Sequence, residues 1–112
     1  MTENDKKRAL AMVALARKAG KVVTGDGCEK AIREGDARLI FLASDASANS
    51  QKKFHNKAAF YGVSIVDVFS KEDIAHHTGL ENRAALVIVD ENFANKIQEI
   101  INVPENNLTS DI

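Results

Sequence analysis

Apolar residues recur at three- and four-residue steps from Ala9 through Met12, Val13, Ala16 and Ala19, with Leu10 and Leu15 beside them, the pattern of an amphipathic helix. Arg17 and Lys18 fall in its last turn and Gly20 follows, a favourable charge placement and a left-handed stop. Short runs of branched or large apolar residues then alternate with helical stretches. The runs Lys21 to Thr24, Arg38 to Ala43, Ser64 to Phe69 and Ala84 to Asp90 predict four strands. Helices are expected at about Gly27 to Glu34, Ala48 to Tyr61, Lys71 to Thr78 and Glu91 to Val103. Ser70 with Asp73 reads as a capping-box start, and Asp90 as the N-cap of the last helix, which Pro104 ends. Gly20, Gly35, Gly62 and Gly79 each fall where a helical pattern stops.

Leu39-Ile40-Phe41-Leu42 and Leu86-Val87-Ile88-Val89 are nearly continuous apolar runs, which suit a sheet covered on both faces. The order αβαβαβαβα therefore implies an α/β fold, a three-layer α/β/α sandwich around a four-stranded sheet. One domain is expected over residues 1–103, with a polar, flexible tail at 104–112.

Composition narrows the function classes. The chain of 112 residues is 45% hydrophobic, enough for one core, yet no run approaches the roughly 20 apolar residues of a membrane span. Met1 to Arg8 is polar with no signal-like apolar segment behind it, so a cytoplasmic protein is expected. A single cysteine, Cys28, excludes an internal disulfide and a cysteine-rich zinc ribbon. Residues 1–57 carry 12 Lys and Arg against 7 Asp and Glu, whereas residues 58–112 carry 3 against 9. The formal charge of −1 thus hides a field that could orient an anionic partner, unless the split merely reflects solvated helix faces.

Two segments are candidates for binding. Thr24-Gly25-Asp26-Gly27-Cys28-Glu29-Lys30 lies where a strand passes into a helix, a place where α/β folds bind ligands, and its glycines admit close approach. Its spacing matches neither a P-loop nor a dinucleotide fingerprint, and Asp26 and Glu29 oppose phosphate, so a tight turn before an ordinary capped helix is the competing interpretation. Gly79-Leu80-Glu81-Asn82-Arg83-Ala84 offers a guanidinium for phosphates or guanine edges, with Ala84 permitting approach; a lone loop arginine is otherwise a solubilising residue. In this kind of sheet both loops can open on one side. Cys28 could be a thiolate nucleophile at a helix start, but no histidine is near it in sequence. His76 and His77 would point about 100° apart on a helix, which suits no shared metal. Neither catalysis, a metal nor a cofactor is expected.

At these loops the chain resembles the ribosomal protein L7Ae/L30e/S12e/Gadd45 superfamily over about residues 6–102, most nearly its bacterial YlxQ-type branch. The resemblance rests on Leu15-Ala16-Arg17-Lys18-Ala19-Gly20-Lys21, Lys30-Ala31-Ile32-Arg33-Glu34-Gly35 and Arg38 through Ser47. Gly79-Leu80-Glu81-Asn82-Arg83, Val89-Asp90 and Phe93-Ala94 complete it. It implies an L30e-like α/β/α sandwich with a mixed sheet that binds kink-turn or related structured RNA, in a ribosome- or translation-linked ribonucleoprotein. Ribosomal RNA is among the partners implied; DNA and membranes are not expected, and protein partners stay open.

In that family a Gly-x-Asn-Glu-x-x-Lys-like segment holds sheared G·A pairs while the later loop packs on a flipped nucleotide. Lys30 matches the lysine. Without a gap Asp26 takes the Asn position and Gly27 the Glu position, whereas the spacing from Gly25 suggests a one-residue deletion. A missing Glu acceptor tells against guanine-specific recognition but leaves backbone contact. Arg83 stands where kink-turn binders carry a small or apolar residue, though it fits the YlxQ-type pattern. The expected RNA-binding set is Gly25, Asp26, Gly27, Lys30 and Arg33, with Ser44, Asp45, Asn82, Arg83 and Ala84. The rival expectation is a protein-interaction domain on the same fold that has lost RNA binding.

Overall fold

The computed structural model describes residues 1–102. Nine elements follow one another: α1 (Glu3–Lys18), β1 (Val22–Thr24), α2 (Gly27–Arg33), β2 (Leu39–Leu42), α3 (Ala48–Tyr61), β3 (Ile65–Val66), α4 (Lys71–Thr78), β4 (Ala85–Ile88) and α5 (Glu91–Asn102). This is the alternating order expected. The sheet is mixed, in the order β1-β4-β2-β3, with β4 antiparallel to both neighbours and β3 parallel to β2. The expected tail from Pro104 onward lies outside the described residues.

The central strands β2 and β4 are fully buried, and their alternation assigns each side chain to one of two cores. Leu39, Phe41, Leu86 and Ile88 face α1, α4 and α5, meeting Leu10, Val13, Ile74 and Ile97. Ile40, Leu42, Ala85 and Val87 face α2 and α3, meeting Cys28, Ile32, Phe54 and Ala58. A one-residue slip would exchange the two sets, so the volumes of both layers fix the register.

Helix ends follow from local chemistry. Capping boxes close the starts of α1 (Thr2 and Asp5) and α4 (Ser70 and Asp73), each contributing about 1 kcal/mol. Asp90 Oδ1 accepts from the Phe93 amide at 3.0 Å, as expected of an N-cap. The α1 start at Glu3 precedes the apolar stripe, because Thr2 and Asp5 cap polar residues into the helix. Asn82 in the 79–84 loop is the one described non-glycine residue with positive φ, at 53°, a conformation asparagine tolerates better than branched residues.

All four strands are shorter than expected: β1 (Val22–Thr24), β2 (Leu39–Leu42) and β4 (Ala85–Ile88) are trimmed at their ends, and β3 is cut most. Ser64 to Phe69 reduces to Ile65–Val66, because β3 is an edge strand whose chain bulges away after Val66. Val68 is 54% exposed there, while Asp67 pairs with His55 Nε2 at 3.0 Å. The chain rejoins the sheet where Ser44 N donates to Phe69 O at 2.8 Å, and Phe69 turns inward to stack on Phe41 with ring centroids 6.1 Å apart.

Candidate functional site

β1 and β2 both run antiparallel to β4, so their carboxyl ends and the start of β4 meet at one end of the sheet. Thr24 pairs with Leu86, Leu42 pairs with Ala85, and Ala43 N donates to Ala84 O at 2.8 Å. Topology therefore brings together the Gly25 turn, the 43–47 segment and the 79–84 loop.

Gly25, Asp26, Asn82, Arg83 and Ala84 line one open cleft of about 260 Å³ with Lys53 of α3. That volume lies below the roughly 300–1,000 Å³ of sites that engulf a small molecule, so the cleft suits a protruding part of a larger ligand. Gly25 is in the left-handed region at φ 67°, and its carbonyl accepts from Cys28 N at 3.1 Å, closing the turn into α2. Asp26 makes no side-chain cap bond, which leaves its carboxylate to the cleft rather than to the helix. Gly27 has an ordinary φ but no room: an added Cβ would stand 2.7 Å from Val23 Cγ1. A glutamate at this position cannot be accommodated unless the Val23 side chain gives way.

Lys30 does not share this cleft. It lines a second open hollow of about 460 Å³ on the outer side of α2, with Gly27, Val23 and Val89, where Glu34 and Asp36 oppose its charge. Arg33, the last residue of α2, is exposed. Ser44 and Asp45 lie at the same sheet end but toward α4. Asp45 Oδ1 accepts from Lys71 N at 2.9 Å, satisfying a free amide of the first turn of α4. Asp45 thus has a structural employment, and Ser44 is exposed beside it.

Sequence reasoning missed the inner wall of the cleft. Lys53 Nζ reaches Glu29 Oε1 at 2.9 Å and Lys57 Nζ reaches Glu29 Oε2 at 3.8 Å, tying α3 to α2. The hydrogen bond from Lys53 holds the Glu29 carboxyl below the usual carboxylate range. Only the α2–α3 packing reveals this, although Lys53 and Lys57 at a four-residue spacing signalled a shared helix face. Arg17 was a second omission. Its Nη1 donates to Thr78 O at 2.8 Å, fastening the end of α4 from which the 79–84 loop departs.

The geometry tells against a nucleophilic role for Cys28. The thiol is 1% exposed, and Sγ donates to Val23 O at 3.4 Å. Burial first, and then the Glu29 charge, push it up to about 11, so it is a neutral core group at physiological pH. The His76 and His77 rings meet edge to face at 4.9 Å. Among the described residues, no three His, Cys, Asp or Glu side chains converge as metal ligands, and no helix is long and apolar enough to cross a membrane.

Comparison with known proteins fits this arrangement. The chain is 37% identical over 102 residues to the RNA-binding protein YlxQ of Enterococcus faecium, covering 90% of this chain and 98% of that one. It is 35% identical over 91 residues to the RNA-binding protein YlxQ of Bacillus subtilis, covering 80% and 91%. A similar solved structure is a protein of unknown function from Bacillus halodurans, with a TM-score of 0.79 and 26% identity over 84% of this chain and 96% of that one. The 15.5kD RNA-binding protein of Giardia lamblia shares the fold, with a TM-score of 0.71 and 19% identity over 90% and 88%. The model of the Ribosomal protein L7Ae/L30e/S12e/Gadd45 family matches residues 7–99, and with relatives this similar over nearly their whole length the chain belongs to that family.

Proposed function

We propose that this protein is a non-catalytic RNA-binding module that takes a structured, kink-turn-like RNA at the end of the sheet where the Gly25 turn and the 79–84 loop meet. The observation that carries this reading is the single cleft shared by Gly25, Asp26, Asn82, Arg83 and Ala84, with Lys53 on its far wall. Arg83 and Lys53 supply donors for phosphate or a base edge, and the small residues let a nucleotide approach the backbone. Lys30 and Arg33 add phosphate contacts on the shoulders of α2. Ser44 and Asp45 border the same end and contribute through position. Two relatives that match most of the chain are named RNA-binding proteins, which supports the same reading. Because Gly27 has no acceptor and no space for one, affinity comes from backbone charge and loop shape more than from reading guanines.

Fluorescence anisotropy with a kink-turn RNA and an unkinked duplex, at several salt concentrations, tests this. The kink-turn RNA is expected to bind more tightly than the duplex. Lys30→Ala and Arg83→Ala should each weaken it and lower the salt slope by about 0.7 to 0.9 per lost phosphate contact. Since Lys30 and Arg83 line separate hollows, the double variant should lose roughly the sum. Undiminished binding by a folded double variant refutes the surface, and equal binding of both RNAs refutes kink selectivity.

A further inference from the structure

Lys53, Lys57 and Tyr61 follow at four-residue steps on α3 and so share one helical stripe, with Phe60 flanking it. The stripe faces α2. Glu29 takes both ammonium groups, at 2.9 and 3.8 Å, and Arg33 is close enough for its charge to act on the Glu29 carboxyl. Beyond Arg33, Tyr61 shares a hollow of about 280 Å³ with Ile32, Gly35 and Arg38. At the other end Glu29 and Lys53 line the Arg83 cleft. A seam therefore runs from the cleft to the far end of the sheet, bordered by Lys53, Lys57, Arg33 and Arg38.

The seam ends on aromatics that the core does not use. Phe60 is 81% exposed and Tyr61 40%, and their rings meet edge to face at 4.8 Å. Neither belongs to the two apolar cores. Cations in a row ending at exposed rings form the arrangement that binds single strands, with phosphates along the charges and bases on the π-faces. The four cations along the seam face one carboxylate, Glu29, and the positive excess that remains suits a polyanion better than a protein partner, which would have only the two rings to match. From Lys53 to Tyr61 the helix rises about 12 Å at 1.5 Å per residue, room for about three nucleotides at roughly 3.4 Å per stacked base.

We propose that the α2–α3 seam binds a single-stranded RNA segment flanking the structured element, its phosphates along Lys53, Lys57 and Arg33 and its bases stacked on Phe60 and Tyr61. This rests on the reading of the cleft as the RNA face. The test compares a blunt kink-turn RNA with the same RNA carrying a four-nucleotide single-stranded extension at either end. Anisotropy is measured with the parent protein, Phe60→Ala, and the double variant Phe60→Ala, Tyr61→Ala.

One extension should raise parent affinity at least about fivefold, a gain that the double variant loses while binding blunt RNA as before. Phe60→Ala alone, at so exposed a position, keeps the fold and should lose part of the gain. An extension that adds nothing, or a gain that survives both variants, overturns the seam and leaves the aromatics to a protein partner. If the parent does not bind blunt RNA, the cleft reading fails separately. Then a single-stranded oligonucleotide alone decides the seam, read by the emission of Tyr61, the only tyrosine in a chain without tryptophan. Quenching supports the seam, and unchanged emission overturns it.

Discussion

Gly27 is where the structure makes its sharpest quantitative demand. Gly27→Ala adds one methyl group 2.7 Å from Val23 Cγ1, on a β-branched side chain that is stiff at χ1 and half-buried. Overpacking of this kind costs about 1 to 3 kcal/mol. Alanine would otherwise help a helix by about 0.5 to 1 kcal/mol, and less at the first helical position, which Gly27 occupies. The clash wins, and a net loss of about 1 to 2 kcal/mol is expected. Val23→Ala alone removes half-buried methyl groups and should cost about 1 kcal/mol. In the double variant the missing Cγ1 gives the new methyl its space, so the combined loss should stay near 1 kcal/mol and not reach the sum of about 2 to 3. Urea unfolding followed by circular dichroism measures all four proteins. A Gly27→Ala variant as stable as the parent, or losses that add within about 0.5 kcal/mol, would refute the claim that this turn excludes a side chain. If the coupling is found, Gly27→Glu should bind RNA detectably better in the Val23→Ala background than in the parent.

Three further outcomes are expected. Glu29→Gln removes the carboxylate that holds Lys53 and Lys57, so affinity for RNA should rise several-fold at low salt and the salt slope steepen by about one unit, measured by anisotropy; weaker binding would show that Glu29 orders those lysines for the ligand. Cys28, with its ionisation pushed up to about 11, should react with a thiol reagent at pH 8 only as fast as the protein opens. Because the folded value exceeds the unfolded one, stability is intact below the unfolded value and is lost as pH rises through about 9 to 11; a thiol labelled at the free-cysteine rate contradicts its burial. Arg17→Ala breaks the 2.8 Å bond to Thr78 O and should cost about 1.5 to 3 kcal/mol while speeding amide exchange in the 79–84 loop, and exchange unchanged by mass spectrometry would separate Arg17 from that loop.

Much of the fold was legible because its signals are local or absolute. β2 and β4 are buried on both faces, so their apolar runs needed no partner to be recognised, and the capping residues of α4 and α5 announce themselves by spacing. The edge strand β3 was overestimated because Phe69 is apolar for its own reason, filling the core after a bulge. The meeting of the Gly25 turn with the 79–84 loop was legible from topology alone. Its third wall was not: Lys53 enters the cleft through the packing of α3 on α2, a contact between residues 24 apart in the chain. Nor could spacing show that Lys30 turns outward, or that Asp45 is occupied by the start of α4.

The charge split along the chain also changes meaning once folded. α1 carries a net +3, but it lies in the layer with α4 and α5, each at −1, and Lys6 spends its charge on Asp73 at 2.9 Å. The opposite layer keeps its excess: α3 holds three lysines and no carboxylate, and α2 nets +1. The sheet and its two apolar cores separate these layers, and the Debye length of about 8 Å at physiological salt limits each field to its own face. A polyanion approaching the α2–α3 side therefore meets a basic surface although the whole chain is formally −1. A sequence pI near 6.3 is thus compatible with an RNA-binding module: Lys53 and Lys57 share the single Glu29 carboxylate, so this face keeps a net positive charge beside the cleft that holds Arg83.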